Sequence, residues 1–131
     1  MCKGGPALGL DRESRAQRWG VASDEEIQAA AREKDVIFLD TRTPAEVAAK
    51  PIALPNMKQC QVTMFSAKKL EEEAATLLPS KTSPIVVFCA IGGRADVARK
   101  ALEKMGYTGT ITNGGGLEDL QGAIPDLLAG G

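Results

Sequence analysis

The chain has 131 residues, of which 44% are hydrophobic and 25% charged, and its formal net charge at pH 7 is −1. These values predict one globular domain, and the near-neutral charge together with a single Trp and a single Tyr argues against nucleic acid as a partner. The chain contains no histidine, which excludes a Cys-His dyad, a Ser-His-Asp triad and histidine-based metal sites.

The chain contains three cysteines, Cys2, Cys60 and Cys89, and no Cys-x-x-Cys pair. This odd number argues against a disulfide framework and a zinc site, so neither a metal nor another cofactor is predicted. Free cysteines fit a reducing compartment; we expect the cytoplasm, with a mitochondrial location as the alternative. No apolar run approaches the about 18 residues of a membrane span, so no membrane association is predicted.

Residues 1–17 have no long apolar segment and predict a flexible tail, followed by one folded domain over residues 18–131. Ser23 and Glu26 then form a capping-box pattern, which predicts the start of a helix. The four continuous apolar residues of "VIFLD" predict a strand that is buried on both faces and ends at Asp40.

The middle of the chain begins with another capping pattern, in which Thr43 and Glu46 predict a second helix. Cys60, Val62 and Met64 alternate with polar residues, as in a half-buried strand. The apolar spacing of "AKKLEEEAATLL" predicts a third helix.

The last third continues the alternation of strands and helices. "PIVVFC" predicts a fully apolar strand, "ADVARKALEKMG" a helix that ends at Gly106, "TGTITNGGG" a short strand and "LEDLQGAI" a last helix. The whole pattern predicts an α/β domain with a mostly parallel sheet of about five strands and helices on both faces. Ligands bind beyond the carboxyl ends of such strands, where this chain carries Asp40, Arg42 and Cys89.

A strand, a loop and a helix meet in "CAIGGR", the six residues from Cys89 to Arg94. The reactive form of cysteine is the thiolate, which backbone amides and the dipole at a helix N-terminus favour. Gly92 and Gly93 allow a positive φ and close backbone approach, so these amides can surround the sulfur. Arg94 offers a planar pair of donors to an anionic oxygen. The loop thus combines a nucleophile, an anion site and a cation without histidine.

This loop resembles the Cys-x-x-Gly-x-Arg motif of the single-domain rhodanese-like sulfurtransferases, on Cys89, Gly92 and Arg94. "VIFLDTRTPAEV" is similar to that family's "LIDVRTPEEF", and "SPIVVFC" and "LEKMGYTGTITNGGG" are similar to its later segments. The similarity covers residues 18–122, and it implies the family's three-layer sandwich.

The resemblance also implies sulfur transfer through a persulfide. Cys89 would accept a sulfane sulfur from a small anionic donor, thiosulfate or a persulfide, and pass it to cyanide or a thiol, including a protein thiol. The residues that would bind the substrate are those of the loop: Ala90, Ile91, Gly92, Gly93 and Arg94.

The chain departs from the family pattern where "AKPIALPNMKQCQVT" replaces "GHIPGAINIP", and it lacks the Trp that follows the late glycines. Phosphatases and arsenate reductases of this fold use a loop one residue longer, so the four residues between Cys89 and Arg94 favour sulfur over phosphate. The alternatives are such a Cys-dependent phosphatase or arsenate reductase, and a rhodanese-like module that only binds a partner. The neutral side chains of the loop leave the donor open between thiosulfate and a persulfide.

Several neighbouring residues have structural interpretations. We expect Asp40 and Arg42 mainly to fix the end of their strand, with a place at the rim of the pocket as the alternative. Glu46 is expected to cap its helix, and Cys60 to be a core residue or else a second thiol that resolves the persulfide. The glycines at 114–116 are expected to form a turn rather than a phosphate site.

Overall fold

The computed structural model describes residues 10–130, and within that range the chain forms one sheet and seven helices. The strands are β1 (Ile37–Asp40), β2 (Met57–Gln59), β3 (Ile85–Phe88) and β4 (Ile111–Asn113). The helices are α1 (Arg12–Trp19), α2 (Asp24–Ala31), α3 (Pro44–Ala49), α4 (Lys68–Leu77), α5 (Gly93–Lys104), α6 (Leu117–Ala123) and α7 (Pro125–Gly130). None of these helices is long and apolar enough to cross a membrane.

The sheet is parallel throughout, with its strands in the order β2-β1-β3-β4. Every residue of β1 and β3 is buried, which explains why these central strands are continuously apolar rather than alternating. Asp40 pairs with Phe88, so β1 and β3 end at the same edge of the sheet. The segments that follow them, which carry Arg42 and Cys89, therefore leave the sheet side by side.

Helices cover both faces of the sheet, and alternate strand positions contribute to two separate cores. Leu39 and Val87 pack on one face against side chains of α4 and α5. Phe38 and Val86 pack on the other face against side chains of α2 and α6. The predicted three-layer α/β sandwich with helices on both faces is confirmed.

The number of strands and the place of one strand differ from the prediction. The sheet has four strands in the described range rather than about five, and the strand predicted over Cys60, Val62 and Met64 lies just before them, at β2. Beyond the end of β2, the amides of Cys60 and Val62 donate to the carbonyls of Asp40 and Thr41, and both side chains are buried. Met64 is 45% exposed, so the predicted burial of every second residue ends at Val62.

Local signals at the helix ends are confirmed. Both capping boxes form, Ser23 with Glu26 at α2 and Thr43 with Glu46 at α3. Gly106 follows α5 with a φ of 92°, a left-handed conformation that favours glycine.

The N-terminal segment differs from the predicted flexible tail of residues 1–17. Residues 1–9 lie outside the described part of the chain, but residues from Arg12 onward form α1. Arg15 pairs with Asp119 at 2.6 Å, and Arg12 lies 3.3 Å from the same carboxylate. Arg12 and Arg15 lie in a segment whose composition is typical of a tail, yet their ion pairs hold α1 against α6. The folded part of the chain therefore begins before residue 18.

Candidate active site

Cys89 lies directly after β3 and is 1% exposed. Its backbone amide donates to the carbonyl of Gly115 at 2.9 Å, which fixes its main chain. The amide of Gly92 donates to the Cys89 Sγ at 3.0 Å. Gly92 has a φ of 114°, so the loop can turn its amide toward the sulfur only because this residue is glycine.

The sulfur lies at the N-terminus of α5, which begins at Gly93. The first amides of an α-helix have no partner within the helix and carry the positive end of its dipole, so they favour an anion here. A Cβ on Gly93 would lie 2.7 Å from the Met64 Sδ and 3.2 Å from the Trp19 Cε2. Met64 and Trp19 therefore lie close against the start of the helix at Gly93.

Asn113, at the end of β4, makes hydrogen bonds that hold the loop in place. Its Nδ2 donates to the carbonyls of Gly92 at 3.0 Å and Trp19 at 2.9 Å. Its Oδ1 accepts from the amide of Gly115 at 2.9 Å. The sequence prediction did not include Asn113, although a polar residue at the end of a strand beside Cys89 is a signal for it.

The glycines at 114–116 form the short loop between β4 and α6, and this loop packs against the loop from Cys89 to Arg94. A Cβ on Gly116 would overlap the carbonyl oxygen of Ala90. The run of glycines therefore allows two backbone segments to pack directly against each other.

Arg15 of α1 reaches the outer side of the loop. Its Nη1 donates to the Ile91 carbonyl at 3.1 Å, and both of its terminal nitrogens donate to the Asp119 carboxylate. Burial raises the pKa of Asp119, but hydrogen bonds from Arg15 and the Gly116 amide outweigh this effect, so the pKa lies below its ordinary value. Sequence reasoning missed Arg15 because its segment has the composition of a tail.

Arg94 makes a two-point ion pair with Glu46. Its Nη1 donates to Oε1 at 2.7 Å and its Nη2 to Oε2 at 2.9 Å. This pairing lowers the pKa of Glu46 to about 2 and raises the pKa of Arg94. Burial of Arg94 opposes this rise in its pKa, and the Cys89 side chain adds a smaller contribution to it. Glu46 therefore caps α3, as predicted, and in addition neutralises the cation of the loop.

Asp40 and Arg42 form a buried ion pair behind the cleft. The Arg42 Nε lies 3.0 Å from the Asp40 Oδ1, and Nη2 lies 2.9 Å from Oδ2. Arg42 also donates to the Lys50 carbonyl at 3.0 Å, at the C-terminal end of α3. Arg42 lines the cleft described next, whereas Asp40 is not among its lining residues and serves to hold Arg42. Of the two residues, only Arg42 lines this cleft.

A cleft of about 390 Å³ opens beside the loop. Its lining residues come from the segment before α1, from α1, α3, the Cys89 loop and α6: Leu10, Arg15, Arg42, Glu46, Ala49, Lys50, Ala90, Ile91, Leu117, Glu118 and Asp119. Three of these residues are cationic and three are anionic, so the cleft has no net formal charge. Leu10 and Ile91 are 44% and 40% exposed, which gives one side of the cleft an apolar surface.

Cys60 lies in the core that also contains Cys89, but it borders a different cavity. Burial and, to a smaller extent, Glu73, whose Oε1 lies 3.8 Å from the sulfur, raise the pKa of the Cys60 thiol to about 11. A thiol that holds its proton so firmly is a poor nucleophile, which favours the core interpretation. Within residues 10–130 no three Cys, Asp or Glu side chains cluster in a way that could hold a metal ion.

The family model that matches the chain is that of the rhodanese-like domain, over residues 23–123. The curated thiosulfate sulfurtransferase PspE of Escherichia coli (strain K12) is 38% identical over 60 residues, which cover 46% of this chain and 55% of PspE. The match thus spans about half the length of that relative.

Solved structures give the same fold. A rhodanese with anions from E. coli is 27% identical, with a TM-score of 0.51, over 64% of this chain and 89% of that one. The polysulfide-sulfur transferase homodimer from Wolinella succinogenes is 24% identical, with a TM-score of 0.60, over 92% of this chain and 85% of its own.

Replacing Gly92 with alanine tests the conformation of the loop. The positive φ and a Cβ only 2.5 Å from the Val21 Cγ2 predict a loss of about 2 kcal/mol in the free energy of unfolding, measured by denaturant titration. Gly122→Ala is the matched control, because a Cβ there meets nothing within 4 Å and a helix gains about 0.5–1 kcal/mol from the same change. Equal stability of Gly92→Ala and the unaltered protein would show that this glycine is not required.

Acid titration tests the ion pair of Glu46 with Arg94. Because the pKa of Glu46 falls from 4.5 to about 2 in the folded protein, its charge stabilises the fold above pH 4.5, and this contribution is lost as the pH falls toward 2. The free energy of unfolding of the unaltered protein should therefore exceed that of Glu46→Gln at pH 6, and the difference should shrink by pH 3. A difference that does not change with pH contradicts the pairing.

Proposed function

The chain belongs to the rhodanese-like domain family, and from this membership we propose that it is a sulfurtransferase that carries a sulfane sulfur on Cys89. The donor is thiosulfate or a persulfide, and the acceptor is cyanide or a thiol. The name of PspE, a thiosulfate sulfurtransferase, supports the activity.

One observation carries the proposal: the Gly92 amide donates to the Cys89 sulfur at the N-terminus of a twelve-residue helix. Backbone donors of this kind favour a thiolate over a thiol, and they equally favour the terminal anion of a persulfide. They do so without histidine, which the chain lacks. Arg94 adds a positive charge that acts on the same sulfur.

The first step is a displacement on sulfur. The Cys89 thiolate attacks the outer sulfur of thiosulfate, a bond forms between the two sulfur atoms, and the bond to the sulfonate sulfur breaks. Sulfite leaves with the electron pair, and the enzyme holds a persulfide anion. The amides at Gly92, Gly93 and Arg94 are the donors proposed to surround its terminal sulfur.

The second step returns the enzyme to its starting state. A cyanide ion or an acceptor thiolate attacks the terminal sulfur, and the Cys89 thiolate leaves with the electrons of the sulfur–sulfur bond. The products are thiocyanate or a new persulfide. Ala90 and Ile91 line the cleft, so both substrates approach past them, and the 1% exposure of Cys89 protects the sulfur from bulk water.

The alternatives receive less support from the geometry. A phosphatase needs its arginine for the phosphate, but the two outer nitrogens of Arg94 are bound to Glu46. A module that only binds a partner needs neither the amide contact to the sulfur nor the arginine beside it. Both cysteines that the structure describes are free thiols, which fits the proposed cytoplasmic location.

Intact-mass spectrometry tests the proposal. After incubation with thiosulfate or glutathione persulfide, the protein should gain the mass of one sulfur atom, lose it again on addition of cyanide and produce thiocyanate. Cys89→Ser should gain none.

Cys60→Ser is the matched control, and it should load as fully as the unaltered protein, because the high pKa of Cys60 leaves that thiol unreactive. No gain with either donor supports the binding module instead, and hydrolysis of a phosphate ester that depends on Cys89 supports the phosphatase.

A further inference from the structure

The guanidinium that a sulfur donor meets at this site is already paired with a carboxylate. Arg94 uses two of its nitrogens for Glu46, at 2.7 and 2.9 Å, and the side chains of Arg94 and Glu46 are 17% and 36% exposed. The amide of Thr43 also donates to Glu46 Oε1, at 2.8 Å. Glu46 is thus held from two sides, and its charge stays next to Arg94 when a donor arrives.

The residues that line the neighbouring cleft do not supply the missing positive charge. Arg42 is paired with Asp40, and Arg15 with Asp119. Glu118 also lines the cleft and balances Lys50, whose ammonium is the remaining cation of the lining. A donor with two negative charges therefore enters a neutral cleft and approaches a carboxylate.

We infer that Glu46 selects sulfur donors by charge, so that a persulfide with a single negative charge is preferred over the thiosulfate dianion. This inference rests on the proposed function, because it concerns the donor of the same reaction. Glu46 repels both donors, but it repels thiosulfate with one further unit of charge. For charges about 6 Å apart, in a medium whose dielectric constant lies between that of a protein surface and that of water, this extra repulsion corresponds to about a tenfold preference for the singly charged donor.

Glu46→Gln tests this inference. The glutamine oxygen can still accept from the Thr43 amide and from Arg94 Nη1, but the amide group in place of Oε2 cannot accept from Nη2, and the charge is removed. The quantity to measure is the ratio of kcat/KM for thiosulfate to kcat/KM for ethyl persulfide, with cyanide as the acceptor for both. Glu33→Gln, at an exposed acid in the turn after α2, controls for the change in net charge.

The expected result is a ratio about tenfold higher in Glu46→Gln and unchanged in Glu33→Gln. A ratio that stays constant in Glu46→Gln overturns the inference, since Glu46 then only positions Arg94. An equal fall in efficiency with both donors also overturns it.

A binding measurement separates this inference from the proposed function. The Kd of thiosulfate for Cys89→Ser, measured by calorimetry, should fall about tenfold when Glu46→Gln is added to the same chain. An unchanged Kd overturns selection by Glu46 even where sulfur transfer occurs. Failure of the unaltered protein to take up sulfur from either donor overturns the proposed function, and this inference with it.

Discussion

The site depends on one contact, the hydrogen bond from the Gly92 amide to the Cys89 sulfur. This bond requires a left-handed residue between a buried strand and a helix, and the neighbouring segments are built around that conformation. Asn113 holds the Gly92 carbonyl, and Arg15 holds the Ile91 carbonyl from the outside. Under the proposed function, backbone amides stabilise the Cys89 thiolate in a chain that has no imidazole to do so, and accurate placement of the backbone is therefore essential.

A second series of contacts determines the charge beside the sulfur. Asp40 holds Arg42 in the interior, and Arg42 donates to the Lys50 carbonyl at the C-terminal end of α3. This helix presents Glu46 to Arg94, and Arg94 lies next to Cys89. Removing Asp40 would leave a buried cation without its partner, a change that destabilises proteins strongly, so the strand end and the cleft are coupled.

Short-range signals made much of this structure predictable. The capping boxes, the apolar strands and the loop from Cys89 to Arg94 each lie within a few residues, and the α/β sandwich follows from their order. The ion pair of Arg94 with Glu46 joins residues 48 positions apart, and that of Arg15 with Asp119 joins residues 104 apart. Such pairs depend on how the elements pack, and a local pattern contains no information about them. For this reason the segment of Arg15 resembled a tail, and Glu46 only a helix cap.

The most direct test of the account is a comparison of amide resonances before and after sulfur loading, by ¹H–¹⁵N correlation spectroscopy. If backbone donors hold the persulfide, the amide protons of Gly92, Gly93 and Arg94 shift downfield when sulfur is added and return when cyanide removes it. The amide of Gly122, in α6, stays in place. A protein that carries the added sulfur while its three loop amides remain unshifted would contradict the account.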